Sequence, residues 1–181
     1  MMESFQNLKN TRTYLAGAMD RVADGGHGWR DIITPHLANN FGIKVLNPCK
    51  YPIKMVKEDE ETRSYIENLK LSGNYDQIKT LYGEIRNSDL RCVDLSDFII
   101  CHIDIDIHMC GSYEEIVTAN RQKKPILIWC KQGKQKIPNW LFFMLPHEHM
   151  FSSMEELLSY LQFIHVKNQI NEKRWFFLRE E

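Results

Sequence analysis

The sequence predicts the α/β class, a doubly wound parallel sheet of four to five strands flanked by helices, and two observations predict it. Short apolar runs of strand length recur at 13–19, 43–48, 97–104 and 126–130. Between them lie segments whose apolar residues recur at threes and fours, so strands alternate with helices, the pattern of a parallel sheet covered on both faces. With 181 residues, 43% hydrophobic and 11% aromatic, the chain can bury one core and is short for two, so residues 1–181 are expected to form one domain.

Taken in order, TYLAGAM (13–19) reads as a first strand ending in a glycine loop, DRVADGGHG. From Trp29, the positions Ile32, Ile33, Leu37 and Phe41 approximate a helical stripe, in which Pro35 costs a hydrogen bond unless it lies in the first turn. Gly42 ends that helix and IKVLNP (43–48) forms the second strand. Residues 55–88 suggest two amphipathic helices, broken near Ser72-Gly73-Asn74, with Tyr65, Ile66 and Leu69 on one and Ile78, Leu81, Tyr82 and Ile85 on the other. DFIICHID (97–104) is the third strand. A helix over about 113–122 follows, closed by Lys123-Lys124-Pro125, and ILIWC (126–130) is the fourth strand. After a connection reaching about Met150, Ser153-Met-Glu-Glu156 is a capping box before a last helix. The aromatic carboxyl end, NEKRWFFLREE, is expected to pack on the body or on another subunit. The arrangement predicted is Rossmann or flavodoxin-like.

Composition narrows the function. Lys plus Arg total 23 against 24 for Asp plus Glu, a formal net charge of -1, which gives no electrostatic case for nucleic acid polymers or acidic membranes. Five cysteines without CxxC pairing suit reduced thiols in a cytoplasm. No signal-like apolar region opens the chain and no apolar run reaches the length of a membrane span, so a cytoplasmic protein is expected.

Ligands of open parallel sheets collect beyond the carboxyl ends of the strands, here Gly17 to Asp20, Asn47, and His102 to Glu115. In HIDIDIH, His102, Asp104, Asp106 and His108 would share one face of an extended chain. That face, with Cys101 and Cys110, has metal-competent side chains. Ligands at i and i+2 on one strand are nearly collinear, however, and no second cluster completes a tetrahedron, so a strand emerging into a solvated loop is the better reading.

Ser112-Tyr113-Glu114-Glu115 fits S-x-x-E, and pattern alone favours a helix cap, with Glu115 reaching back to the backbone. The same carboxylate in a first helical turn would be held ionised, and Gly111 would let the backbone approach a ligand, the conditions a carboxylate nucleophile needs. A second acid, Asp89, precedes the third strand. Two such carboxylates can divide attack and proton transfer in glycosidic bond cleavage.

The ordered set YLAG (Tyr14 to Gly17), Trp29-Arg30, Asp89-Leu90, SDFII (Ser96 to Ile100) and GSYEEIVTA ending in KKPI resembles the nucleoside 2-deoxyribosyltransferase superfamily, which includes nucleotide N-hydrolases. The match covers positions 13–130. In this family G-[ST]-x-x-E carries the nucleophile, so the resemblance places that role on Glu115 and the acid on Asp89, 26 residues earlier. It implies double displacement through a glycosyl-enzyme without metal or cofactor, and a small nucleoside or nucleotide as partner. It further implies a base pocket lined by Tyr14, Gly17 and Met19, with Trp29 as a stacking wall or a packing residue, and a homo-oligomer. Proline is commoner in the family at Ala18, and glycine at Val117. Where the family commonly has a sugar-binding aspartate before Gly111, this chain has Met109 and Cys110; Asp106 is expected to reach in instead. That departure leaves ribose, deoxyribose or a 5′-phosphorylated sugar open, with Ser112, Arg30 and Lys131 as phosphate candidates. Base exchange, hydrolysis to free base, and a nucleotide sensor without turnover are the three functional expectations.

Overall fold

The computed structural model describes residues 6–50, 60–167 and 173–178. Five parallel strands, β1 (Arg12–Gly17), β2 (Lys44–Leu46), β3 (Phe98–Ile103), β4 (Ile126–Cys130) and β5 (Met150–Phe151), form one sheet in the order β2-β1-β3-β4-β5. The helices are α1 (His27–Phe41), α2 (Glu60–Leu71), α3 (Tyr75–Leu95), α4 (Cys110–Arg121), α5 (Asn139–Met144) and α6 (Met154–Val166), with short 3-10 turns at 134–136, 147–149 and 173–178.

Alternation along the strands divides the core in two. Tyr14, Ala16, Ile99, Cys101, Ile103, Ile126 and Ile128 point to the side covered by α3, α4 and α5, while Leu15, Phe98, Ile100, Leu127 and Phe151 point to the side of α1 and α6. Both faces being buried explains why β4, and β3 apart from His102, read as continuous apolar runs. Trp175, fully buried against Phe98, ties the carboxyl-terminal turn to the second layer, and Arg174 donates to the carbonyls of Lys124 and Met144. The aromatic end thus packs on the body, as expected. No helix among the described residues is long and apolar enough to cross a membrane.

Four sequence expectations shift. Pro35 lies well inside α1 rather than in its first turn; it sits on the exposed face, where water can serve the carbonyl that its missing N–H leaves. The third helix runs on to Leu95: Asp89 lies on the same face as the buried Ile85, Cys92 and Val93, while Arg91 and Asp94 are exposed. α4 begins at Cys110, three residues early, with Met109 at its cap position and no side-chain cap bond. Ser112 is therefore inside the first turn and is not the cap. The cap at α6 does form, with its return bond shifted: Ser153 Oγ accepts the Glu156 N–H at 3.2 Å, and the Glu156 carboxylate accepts the N–H of Ser152, one residue before the cap, at 2.7 Å. The predicted helix residues 55–59 lie outside the described residues.

Candidate active site

Strand order reverses between β1 and β3, and a crevice beyond the carboxyl ends of those two strands is where such sheets bind ligands. A cavity of about 800 Å³ opens there. Its floor and walls come from Tyr14 in the middle of β1, the loop Gly17–Asp20, the α3 face that carries Arg86 and Asp89, and the start of α4 from Cys110 to Glu115.

Glu115 is 7% exposed, and the Tyr14 hydroxyl, on a side chain 1% exposed, donates to its Oε1 at 2.7 Å. A bond of that length to a carboxylate is charge-assisted and fixes the orientation of the group. Burial first, then the charges of Glu115 and Asp89, push the Tyr14 pKa well above the usual phenol value, so Tyr14 stays a donor. Because α4 starts at Cys110, Glu115 falls in its second turn, beyond the reach of the N-terminal dipole. Tyr14 and burial orient the carboxylate where the sequence suggested the helix end would. Tyr14 therefore faces the cavity with its hydroxyl committed to Glu115 rather than to a base.

Gly17, Met19, Gly111 and Ser112 also line the cavity, as the sequence suggested. Gly17 has φ 155, and a Cβ there would stand 3.0 Å from the Trp29 ring and 3.1 Å from the His102 carbonyl, so only glycine fits. Gly111 needs no special conformation; a methyl placed on it would meet nothing within 4 Å, which leaves the cavity open at that point.

Trp29, Arg30, Asp106 and Lys131 are elsewhere. Trp29 packs against His102 and Trp129, with ring centroids at 5.2 and 6.3 Å, on the α1 side of the sheet. Its role is packing. Arg30 is 1% exposed and donates to the carbonyls of Leu15, Gly17 and Gly26 at 2.7–3.1 Å. It holds the loop after β1 in place and does not reach a ligand. Asp106 accepts from Gln132 at 3.0 Å, and Lys131 pairs with Asp104 at 2.6 Å, both outside the cavity lining. The shared face proposed for HIDIDIH does not form, because the chain leaves the sheet at Ile103 and turns, the Ile107 N–H bonding to the Asp104 carbonyl at 3.1 Å. His102 is packed 4.3 Å from the Trp129 ring, and burial, then the Arg30 charge, bring its pKa down to about 4. Among the described residues no three His, Cys, Asp or Glu side chains are grouped to hold a metal ion.

Sequence reasoning missed Lys70, Lys79, Tyr82, Arg86 and His108, all of which line the cavity. The three on α3 were within reach. Residues 79, 82, 86 and 89 are spaced by three and four, so placing Asp89 on a helix places the others on its face.

The flavodoxin-like sheet thus carries two carboxylates in one cavity at its switch point. By fold the chain is similar to a 2-deoxyribosyltransferase from the psychrotolerant bacterium Bacillus psychrosaccharolyticus, with a TM-score of 0.56 over 88% of this chain and 100% of that one at 15% identity. A CMP N-glycosidase of Clostridium botulinum aligns more loosely, with a TM-score of 0.47 over 85% and 99% at 15% identity. No protein-family model and no curated protein matches the chain.

Proposed function

We propose that the chain is an enzyme of the nucleoside 2-deoxyribosyltransferase superfamily that breaks the N-glycosidic bond of a nucleoside or nucleotide and passes the sugar to another base. The observation that carries this reading is the convergence of Glu115, oriented by Tyr14, and Asp89 in one cavity at the β1/β3 switch point. The fold shared with a 2-deoxyribosyltransferase supports it. Glu115 attacks the anomeric carbon as the bond to the base breaks, while Asp89 delivers a proton to the departing base. The products of this half-reaction are a glycosyl ester on Glu115 and a free base. A second base, deprotonated by Asp89, then attacks the same carbon, Glu115 leaves as a carboxylate, and two inversions give net retention.

Hydrolysis is the second reading. Exposed Asp20, Lys79 and Arg86 at the cavity keep water within reach of the ester. Incubation of purified protein with a deoxynucleoside or its 5′-monophosphate and a different free base, followed by product separation, tests both. Exchanged nucleoside is the expected result, free base alone assigns hydrolysis, and intact substrate under all conditions contradicts the enzyme reading.

A further inference from the structure

Asp89 and Glu115 stand on different helices, so the reaction proposed above depends on what fixes α3 against α4. Hydrophobic contact is sparse along α3: of its 21 residues only Ile85, Cys92 and Val93 are buried. Polar side chains bridge the helices at two levels. Near the cavity, Arg86 grips Glu114 with its Nε at 2.8 and 3.1 Å from the two carboxylate oxygens, and a second contact comes from Nη2. Farther along, Gln122 Nε2 donates to Asp94 Oδ1 at 2.7 Å, and Lys124 Nζ caps the Val93 and Asp94 carbonyls.

The two rungs have the same sequence separation, 28 residues for Arg86 to Glu114 and 28 for Asp94 to Gln122. Equal separations mean that the helices run parallel and in register. At a rise of ~1.5 Å per residue the rungs are ~12 Å apart. Both carboxylates fall between them: Asp89 lies three residues past Arg86, and Glu115 one past Glu114. In this register position 89 is level with position 117, two residues beyond Glu115, so the carboxylate-bearing backbones are offset by only ~3 Å along the axis. A slip of either helix end changes the gap that the sugar-to-base bond must bridge.

We infer that Arg86 and Glu114 are positioning residues, a two-pronged rung that holds the start of α4 against α3 and so sets the separation of Asp89 and Glu115. Both side chains line the cavity, yet each satisfies the other. The hydrogen bond and charge of Arg86 hold the Glu114 carboxyl below the usual carboxylate range, so the pair stays ionised. Exposure of 55% and 40% makes it a poor source of stability, which leaves geometry as its contribution.

This inference rests on the proposed activity, and its test separates the two. Arg86→Ala, Glu114→Ala, the double variant and the exchanged pair Arg86→Glu with Glu114→Arg are compared by turnover of a nucleoside. Each single variant should lose roughly 10- to 100-fold in kcat with little change in KM, the cost of displacing a reacting group by about an ångström. The double variant should be no worse than either single, the exchanged pair should recover much of the loss, and melting should move by less than about 4 °C. Losses that multiply, a rise in KM alone, or unchanged kcat would overturn the inference. If wild-type protein turns over no nucleoside or nucleotide, the activity falls, and the rung is judged by amide hydrogen exchange. Faster exchange in residues 110–116 of both single variants supports it, and unchanged exchange rejects it.

Discussion

Removing one oxygen atom, Tyr14→Phe, separates the two halves of the proposed reaction. The ring is 1% exposed within the core beneath α4, so phenylalanine fills the same space and only the 2.7 Å bond to Glu115 is lost. A hydrogen bond to a charged group contributes about 1.5–3 kcal/mol. Its effect on rate depends on where the charge is. During attack the Glu115 carboxylate gives up its negative charge to the new ester, so the bond to Tyr14 weakens and its absence costs little. In the second half the carboxylate reforms as the leaving group, and the bond strengthens. If the charge is about half developed at that transition state, roughly half of the bond is at stake, 0.7–1.5 kcal/mol or about 3- to 13-fold. The expected result in rapid-quench kinetics is a burst of free base equal to the enzyme concentration, followed by a steady state slowed about 3- to 13-fold. Melting should fall by several degrees, since the folded state alone makes the bond. Wild-type kcat without a burst would refute the reasoning, because the bond would then not act on the leaving carboxylate.

Asp89→Asn should slow substrates with poor leaving bases on the order of a hundredfold and activated ones less than tenfold; product chromatography with both substrates checks this, and equal losses contradict an acid role. Ser153→Ala should destabilise by about 1 kcal/mol in denaturant melts, since Ser153 caps α6, whereas Ser112→Ala should change stability by less than about 0.5 kcal/mol, since Ser112 makes no cap bond at α4. An equal cost at both serines would mean that Ser112 caps after all.

The fold was legible where burial on both faces left a plain signal. β4, and β3 apart from His102, are apolar because helices cover each side, and their predicted bounds fall within one residue of the structure. β5 is two residues long, too short to carry a pattern, and the sequence reading ran a connection to its edge. Boundaries moved where polar residues ride on helices: Gly111 and Ser112 look like a turn and a cap, yet both are helical. Site residues followed the same division. Glu115 and Asp89 lay in motifs, and the structure brings both to one cavity. Arg30 did not transfer, because its buried guanidinium serves three backbone carbonyls, a task that no local pattern reveals. Lys70 comes to the cavity from α2, and only tertiary contact places it there.

Turnover of Glu115→Gln bears most directly on the claim that this side chain is the nucleophile. Glutamine keeps the size and can still accept from Tyr14, so the variant should fold as the wild type does, with the same circular dichroism and melting within a few degrees. The account predicts at least roughly a hundredfold loss of base release. A folded Glu115→Gln protein that releases base at the wild-type rate would contradict it.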